Sequence, residues 1–241
     1  MSFLTAEWKK LAFANYIVPP ETLQDLVPEG TELDFWEGNC YVSLVGFMFQ
    51  NTKLLGLKIP FHTNFEEVNL RFYVKRKEGN EWKRGVVFIK EIVPKRAITF
   101  VANQVYKENY ETMKMSHHWE ASSSKREIVY RWKCKNQWQS FQIISSIASH
   151  VIEKGSEEEF ITEHYWGYAH AGKQKTNEYE VKHPQWELYE VHSCDINVNF
   201  GLVYGEAFSF LNNALPSSVM LAEGSEISVE SKRKIKEITN S

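Results

Sequence analysis

Cysteine is scarce in this chain: Cys40, Cys134 and Cys194 are the only three in 241 residues, and no two form a C-x-x-C pair. An odd, widely spaced set argues against a disulfide scaffold and a cysteine zinc site, and it suits a reducing compartment. Long apolar runs are also missing. The longest, "FQIISSIASHVI", is too short and too polar to span a bilayer. The opening "MSFLTAEWKKLAF" lacks a basic segment followed by an apolar core, so no signal peptide is expected and the chain reads as cytoplasmic, with no membrane partner. No excess of positive charge is present either: 28 basic against 31 acidic residues give a net charge of −3. A nucleic-acid partner would call for a basic stripe. The one basic cluster, "KRKIK" at 232–236, reads as part of a solvated tail beginning near 231. Proline (7) and glycine (12) are too few and too dispersed to mark a linker, so residues 1–241 read as one domain.

Catalytic fingerprints are absent as well. There is no G-x-S-x-G, P-loop, dinucleotide or H-E-x-x-H pattern. "GKQKTNE" at 172–178 lacks the spaced glycines of a phosphate cradle and reads as a hairpin loop. His117 and His118 are sequential and would point to opposite faces of a strand, while His164 and His170 carry no paired carboxylate motif. No metal and no cofactor are expected.

Aromatic residues, by contrast, make up 14% of the chain, which favours strands and pocket walls. Alternating segments dominate. "GNCYVSLVGFMF", "FEEVNLRFYVKR", "RGVVFIKEIV", "EIVYRWKCK", "WQSFQIISS", "NEYEVKH" and "WELYEVHSCDINV" read as strands, with Gly79-Asn80 as a hairpin turn between the second and third. Helices are expected over 19–27, over "PKRAITFVANQVYKEN", over 155–165 with Ser156 as N-cap, and over 205–215. In the second of these, Ile98, Val101, Ala102 and Val105 form the apolar face. The composite is a mainly β (α+β) protein with a few short helices.

In "FEEVNLRFYV", period two puts Val68, Leu70, Phe72 and Val74 on one face and Phe65, Glu67, Asn69, Arg71 and Tyr73 on the other. A two-residue turn at Gly79-Asn80 sets Asn69 opposite Lys90 and Arg71 opposite Phe88. Glu67, Asn69, Arg71 and Lys90 then share one face. On alternation alone this is the wet side of a half-exposed strand; in a closed sheet it lines an interior where each charge needs a partner or a ligand.

The ordered set "LVPEGTELDFWEGNCYVSLVGF", "FEEVNLRFYV", "GVVFIKEIV", "ANQVYKENYETMKM", "FITEHYWGY" and "HPQWELYEV" resembles the YqjF-like family of unknown function, from about residue 8 to 220. The family is similar in fold to acetoacetate decarboxylase, and the resemblance implies a twisted antiparallel β-barrel of that type around a central pocket. The decarboxylase uses two adjacent lysines, one forming an imine and the other depressing its pKa by like charge. Laid on this chain, that pair falls on Asn109 and Tyr110, so the imine-forming lysine is absent. Lys107, in "VANQVYKENYETM", has no lysine neighbour and turns away from the apolar helix face, as a cation in a last helical turn does. The resemblance also brings "TEHYWGY" toward the pocket mouth, with Tyr165 as a lining residue; packing at a corner accounts for the same aromatics.

Three functions fit. The first is binding of a small carboxylate- or carbonyl-bearing molecule in the barrel, with Arg71 gripping it, Asn69 and Tyr110 hydrogen-bonding, and Glu67 balancing charge or exchanging a proton. The second is a decarboxylase, dehydratase or aldolase-like enzyme lacking the lysine pair. The third is a structural or interaction protein with a filled barrel. Whether the chain is an enzyme and whether it forms a homo-oligomer stay open.

Overall fold

The computed structural model describes residues 2–172 and 175–236. Among these, fourteen strands succeed one another: β1 (Leu4–Val18), β2 (Glu32–Leu33), β3 (Cys40–Leu54), β4 (Phe65–Glu78), β5 (Glu81–Val93), β6 (Tyr110–Thr112), β7 (Lys114–Ala121), β8 (Arg126–Cys134), β9 (Gln137–Val151), β10 (Trp166–His170), β11 (Lys175–Lys182), β12 (Glu187–Asn197), β13 (Ser218–Val229) and β14 (Arg233–Lys236). Helices α1 (Arg96–Val101), α2 (Glu157–Thr162) and α3 (Phe200–Tyr204) are short. No helix among the described residues is long and apolar enough to cross a membrane.

Seven strands close on themselves. The order β11-β10-β5-β4-β3-β1-β13 returns to β11 through Val181–Val229 and Lys182–Ser228. The result is a ring of strands rather than a uniform antiparallel barrel, because β10 meets β5 in parallel through only Trp166–Gly85 and Gly167–Val86. From β13 the sheet continues through β12, β9, β8 and β7 and packs over the outside of the ring.

Strands β1, β3 and β4 are therefore covered on both faces. Ala12, Leu44, Leu70 and Phe72 meet Ile128, Tyr130, Trp132 and Phe141 of the outer layer. Their alternate neighbours Leu11, Phe13, Val45, Phe47 and Tyr73 face the ring interior. This explains why "CYVSLVGFMF" in β3 is buried at every position instead of alternating. A fully buried aliphatic or aromatic side chain contributes roughly 1.5–3 kcal/mol, so this double layer stabilises the ring strongly.

The Gly79-Asn80 turn is present, with Gly79 at φ +61 and Glu78 opposite Glu81. Ser156 caps α2 by accepting from the Glu159 N–H at 3.2 Å. The helices expected over 19–27 and 205–215 are present as 3₁₀ turns, Pro20–Thr22 and Gln24–Leu26 in the first and Glu206–Asn213 in the second. The basic cluster is not a solvated tail throughout: Arg233–Lys236 pairs with β11, and Arg233 Nε reaches the fully buried Glu178 at 2.5 Å. The loop read in 172–178 falls partly on residues 173–174, outside the described residues; Lys175 onward is already β11.

Candidate functional site

The alternation in β4 holds. Phe65, Glu67, Asn69, Arg71 and Tyr73 point into the ring, and their partners on the other face join the outer core. Glu67 and Asn69 are 2% and 1% exposed, and Asn69 Nδ2 donates to Glu67 Oε1 at 3.0 Å. Arg71, half-buried, lies over the rings of Phe13 and Tyr73 at 5.4 and 5.7 Å and donates through Nη2 to the Ile161 carbonyl at 3.3 Å.

The partner strand departs from the expected register. From Glu78–Glu81 to Arg71–Phe88 the pairing follows the two-residue turn, but a β-bulge between Arg71 and Leu70 leaves Ile89 as an extra residue. Beyond it Leu70 faces Lys90 and Asn69 faces Glu91. The bulge thus places an acid in the ring where the unbroken register placed a lysine. Glu91 is 2% exposed and lines the cavity. Lys90 lies outside it, 2.7 Å from Glu111.

The segment after β5 supplies the remaining polar groups. Following α1, residues Ala102–Tyr106 wind as a π-helix. The i→i+5 winding delays the return of the helix face by one residue. Tyr106 therefore turns in, at 7% exposure, while Val105, which the α period put on the apolar face, is 36% exposed. Lys107 ends the turn in the left-handed region at φ +65 and is exposed. The chain then extends, so Glu108 and Tyr110 point inward and Asn109 points out. Asn103 clamps Tyr110 by donating to its carbonyl at 2.9 Å and accepting from its N–H at 2.8 Å.

Together these elements line a cavity of about 370 Å³ with predominantly apolar walls that include Trp8, Phe47, Phe49, Phe88 and Trp186. Its polar groups gather on one side. Tyr110 donates to Glu67 Oε2 at 3.0 Å, and Tyr179 of β11 donates to Glu108 Oε1 at 2.7 Å. Gly167 on β10 makes room for the Tyr179 ring, because a Cβ there would overlap it. Asn69 Oδ1, Glu91 Oε2 and Arg71 Nε are buried atoms with no protein partner.

Burial of carboxyls among these walls disfavours their charged forms. Burial pushes Glu67 up to about 7, against the opposing hydrogen bonds from Asn69 and Tyr110 and the field of Arg71. Glu108 is pushed up to about 8 by burial, with Glu67 adding to the rise. Glu91 is driven well above the carboxylate range by burial and then by the charges of Glu108 and Glu67. Tyr110 and Tyr179 are both raised, first by burial. Glu91 and Glu108 are thereby held mainly protonated at neutral pH, while Glu67 lies near its midpoint.

A second polar group borders the cavity. Burial lowers His164 to about 4, leaving it neutral, and its Nε2 meets Asp34 Oδ2 at 3.2 Å. Burial would raise Asp34, but hydrogen bonds from His164 and from Arg84 at 2.7 Å outweigh it and hold the acid near 2.

Of the residues singled out from sequence, Glu67, Asn69, Arg71 and Tyr110 are brought together on the cavity wall. Lys90, Asn109 and Tyr165 are not. Asn109 donates outward to the Ile89 carbonyl at 2.6 Å, and Tyr165 hydrogen-bonds Glu163 and lies against the His183 ring. In "TEHYWGY" it is Thr162, His164, Trp166 and Gly167 that line the cavity. Glu91, Glu108 and Tyr179 went unread. No lysine lines the cavity among the described residues.

Comparison with known proteins follows the same outline. The family model DUF2071, described as an uncharacterized conserved protein, matches residues 5–226. The uncharacterized protein YqjF of Bacillus subtilis is 29% identical over 198 residues, covering 80% of this chain and 77% of that protein. Among solved structures, acetoacetate decarboxylase from Legionella pneumophila aligns at TM-score 0.64 and 9% identity over 97% of this chain and 88% of its own. An acetoacetate decarboxylase-like enzyme from Sphingomonas wittichii gives 0.66 and 9% over 99% and 95%. The enduracididine biosynthesis enzyme MppR, complexed with the condensation product of pyruvate and imidazole 4-carboxaldehyde, gives 0.71 and 10% over 99% and 92%. At such identities the likeness is one of fold.

Proposed function

Since the chain belongs to the DUF2071 family and shares the acetoacetate decarboxylase-like fold, we propose that it binds a small molecule carrying a carboxylate or carbonyl group inside its ring of strands. One observation carries this reading: an apolar cavity of about 370 Å³ whose polar groups converge on one side around Arg71 and Asn69. The volume lies within the usual range for small-molecule sites. Arg71 keeps its Nε unpartnered beside Phe13 and Tyr73, and a carboxylate accepting from it would meet a desolvated, charge-assisted bond. The apolar walls would hold the body of the ligand. A filled, purely structural interior is the weaker reading, since the hollow is too large to be a packing defect.

A catalytic version of this reading rests on Glu67. A carboxyl near pH 7 that accepts from Tyr110 is suited to take or give a proton at a bound carbonyl compound. Imine chemistry has no nucleophile here, because no lysine lines the cavity among the described residues. MppR, whose structures include a pyruvate complex, supports an oxo acid as one starting probe.

Thermal unfolding in the presence of 2-oxo acids and straight-chain carboxylates tests the proposal. Binding raises the melting temperature of the native chain, and Arg71→Ala and Asn69→Ala remove that rise while keeping a cooperative transition. An equal rise in both variants removes this site from consideration.

A further inference from the structure

The cavity's polar side has two poles. Arg71 lies at one, against Phe13, Tyr73 and the Ile161 carbonyl. Glu91 and Glu108, with Tyr179, form the other, and Glu67 stands between, close enough to feel both Arg71 and the acids. Two steps along β4 separate Arg71 from Asn69, roughly 7 Å, and Glu91 sits directly across from Asn69. Cation and acids thus occupy distinct stations on one wall.

At the acid pole two acceptor atoms lack a partner within the protein. Glu67 is satisfied by Asn69 and Tyr110, and Glu108 Oε1 by Tyr179. Glu91 Oε2 and Asn69 Oδ1 remain unpartnered although both residues are at least 98% buried. Leaving such atoms unpaired costs free energy that folding alone does not explain. No group of His, Cys, Asp and Glu among the described residues has the arrangement to hold a metal ion. A donor carried in by a ligand would satisfy both atoms.

Resting on the binding reading above, we propose that the ligand is bipolar: its carboxylate or carbonyl end lies at Arg71, and a protonated nitrogen, as in an amine, amidine or guanidine, lies among Asn69 Oδ1, Glu91 and Glu108. A cationic N–H group donates to both unpartnered acceptors and supplies the positive charge that the acids lack. Its arrival favours their ionised forms, so protons leave the site as the ligand enters.

Isothermal calorimetry on the full chain, with short straight-chain carboxylates and their ω-amino analogues of equal length, tests this. The amino member of a pair is expected to bind at least about tenfold more tightly. Glu91→Gln and Glu108→Gln are expected to erase that preference, so that the two members of a pair bind each variant within about twofold of one another. Proton release, read from the dependence of the heat on buffer ionisation, is expected for the amino ligand alone and decides the matter should a variant fail to fold. If plain carboxylates bind as tightly as their amino analogues, or release as many protons, the bipolar ligand is wrong and the binding reading stands. If neither class binds the native chain, both fall.

Discussion

Asn69 on β4 sits directly opposite Glu91 on β5, one position past the residue that an unbroken hairpin register would pair with it. That offset decides the chemistry of the cavity. A lysine opposite Asn69 would have given the ring a buried amine close to a carboxylate; the bulge at Ile89 instead completes a cluster of three acids. Their burial beside a single guanidinium, Arg71, costs stability, and such local costs are characteristic of functional sites.

The first prediction concerns stability against pH. The Glu67 pKa rises from 4.5 in the unfolded chain to about 7 in the fold. The protonated acid therefore contributes stability that is fully present below 4.5 and lost as pH rises through about 7. Glu67→Gln should be more stable than the native chain at pH 8, by on the order of 1–3 kcal/mol, and nearly equal to it at pH 4.5. His164 and His183, lowered to about 4, act in the opposite sense, losing stability below 6.5, but they are common to both proteins. Urea melts at the two pH values check this; a difference independent of pH contradicts it.

Gly167→Ala is the second. The new methyl group would collide with the Tyr179 ring, which donates to Glu108. Overpacking of this kind costs about 1–3 kcal/mol. Displacement of Tyr179 should also weaken ligand-induced stabilisation, so both the melting temperature and its response to ligand should fall. A variant of native stability would mean that Tyr179 does not occupy this position.

Third, reduction with borohydride in the presence of 2-oxo acids should leave the intact mass unchanged. Lys90 lies outside the cavity against Glu111, and Lys107 is exposed at a left-handed turn. An adduct on any lysine would overturn the assignment of a lysine-free cavity.

Asp34→Ala gives the fourth. It strands His164 and the half-exposed Arg84 without their shared partner, at a cost of about 2 kcal/mol, less than for a fully buried pair. The Asp34 pKa drops from 3.8 to about 2, so its contribution is present above 3.8 and lost as pH falls through 2. Acid titration of unfolding should show the penalty at pH 6 and its disappearance near pH 2.

Much of this architecture is legible in the chain, for reasons that particular residues make clear. The inward face of β4 follows from period two, and the hairpin from Gly79-Asn80. Strand β1 was unread because Lys9-Lys10 interrupts its alternation; Lys10 adopts φ +56 at a register shift and reaches Glu223 at 2.6 Å. Strand β13 hides behind Gly224, whose missing Cβ admits the Trp8 carbonyl. Glu91 was missed because a bulge is invisible to strict alternation. The run Phe88-Ile89-Lys90-Glu91-Ile92-Val93, two apolar, two polar, two apolar, is the signal that could have revealed it. Glu108 follows a π-turn and a left-handed residue, which no helical period anticipates, and Tyr179 joins the site only through closure of the ring.

The most direct test of the account is a crystal structure of the full chain grown with a short carboxylate or its ω-amino analogue. The account predicts ligand density inside the ring, with an oxygen within hydrogen-bond distance of the Arg71 guanidinium. A ring interior filled by collapsed side chains, or a ligand found only on the outer surface, would contradict it.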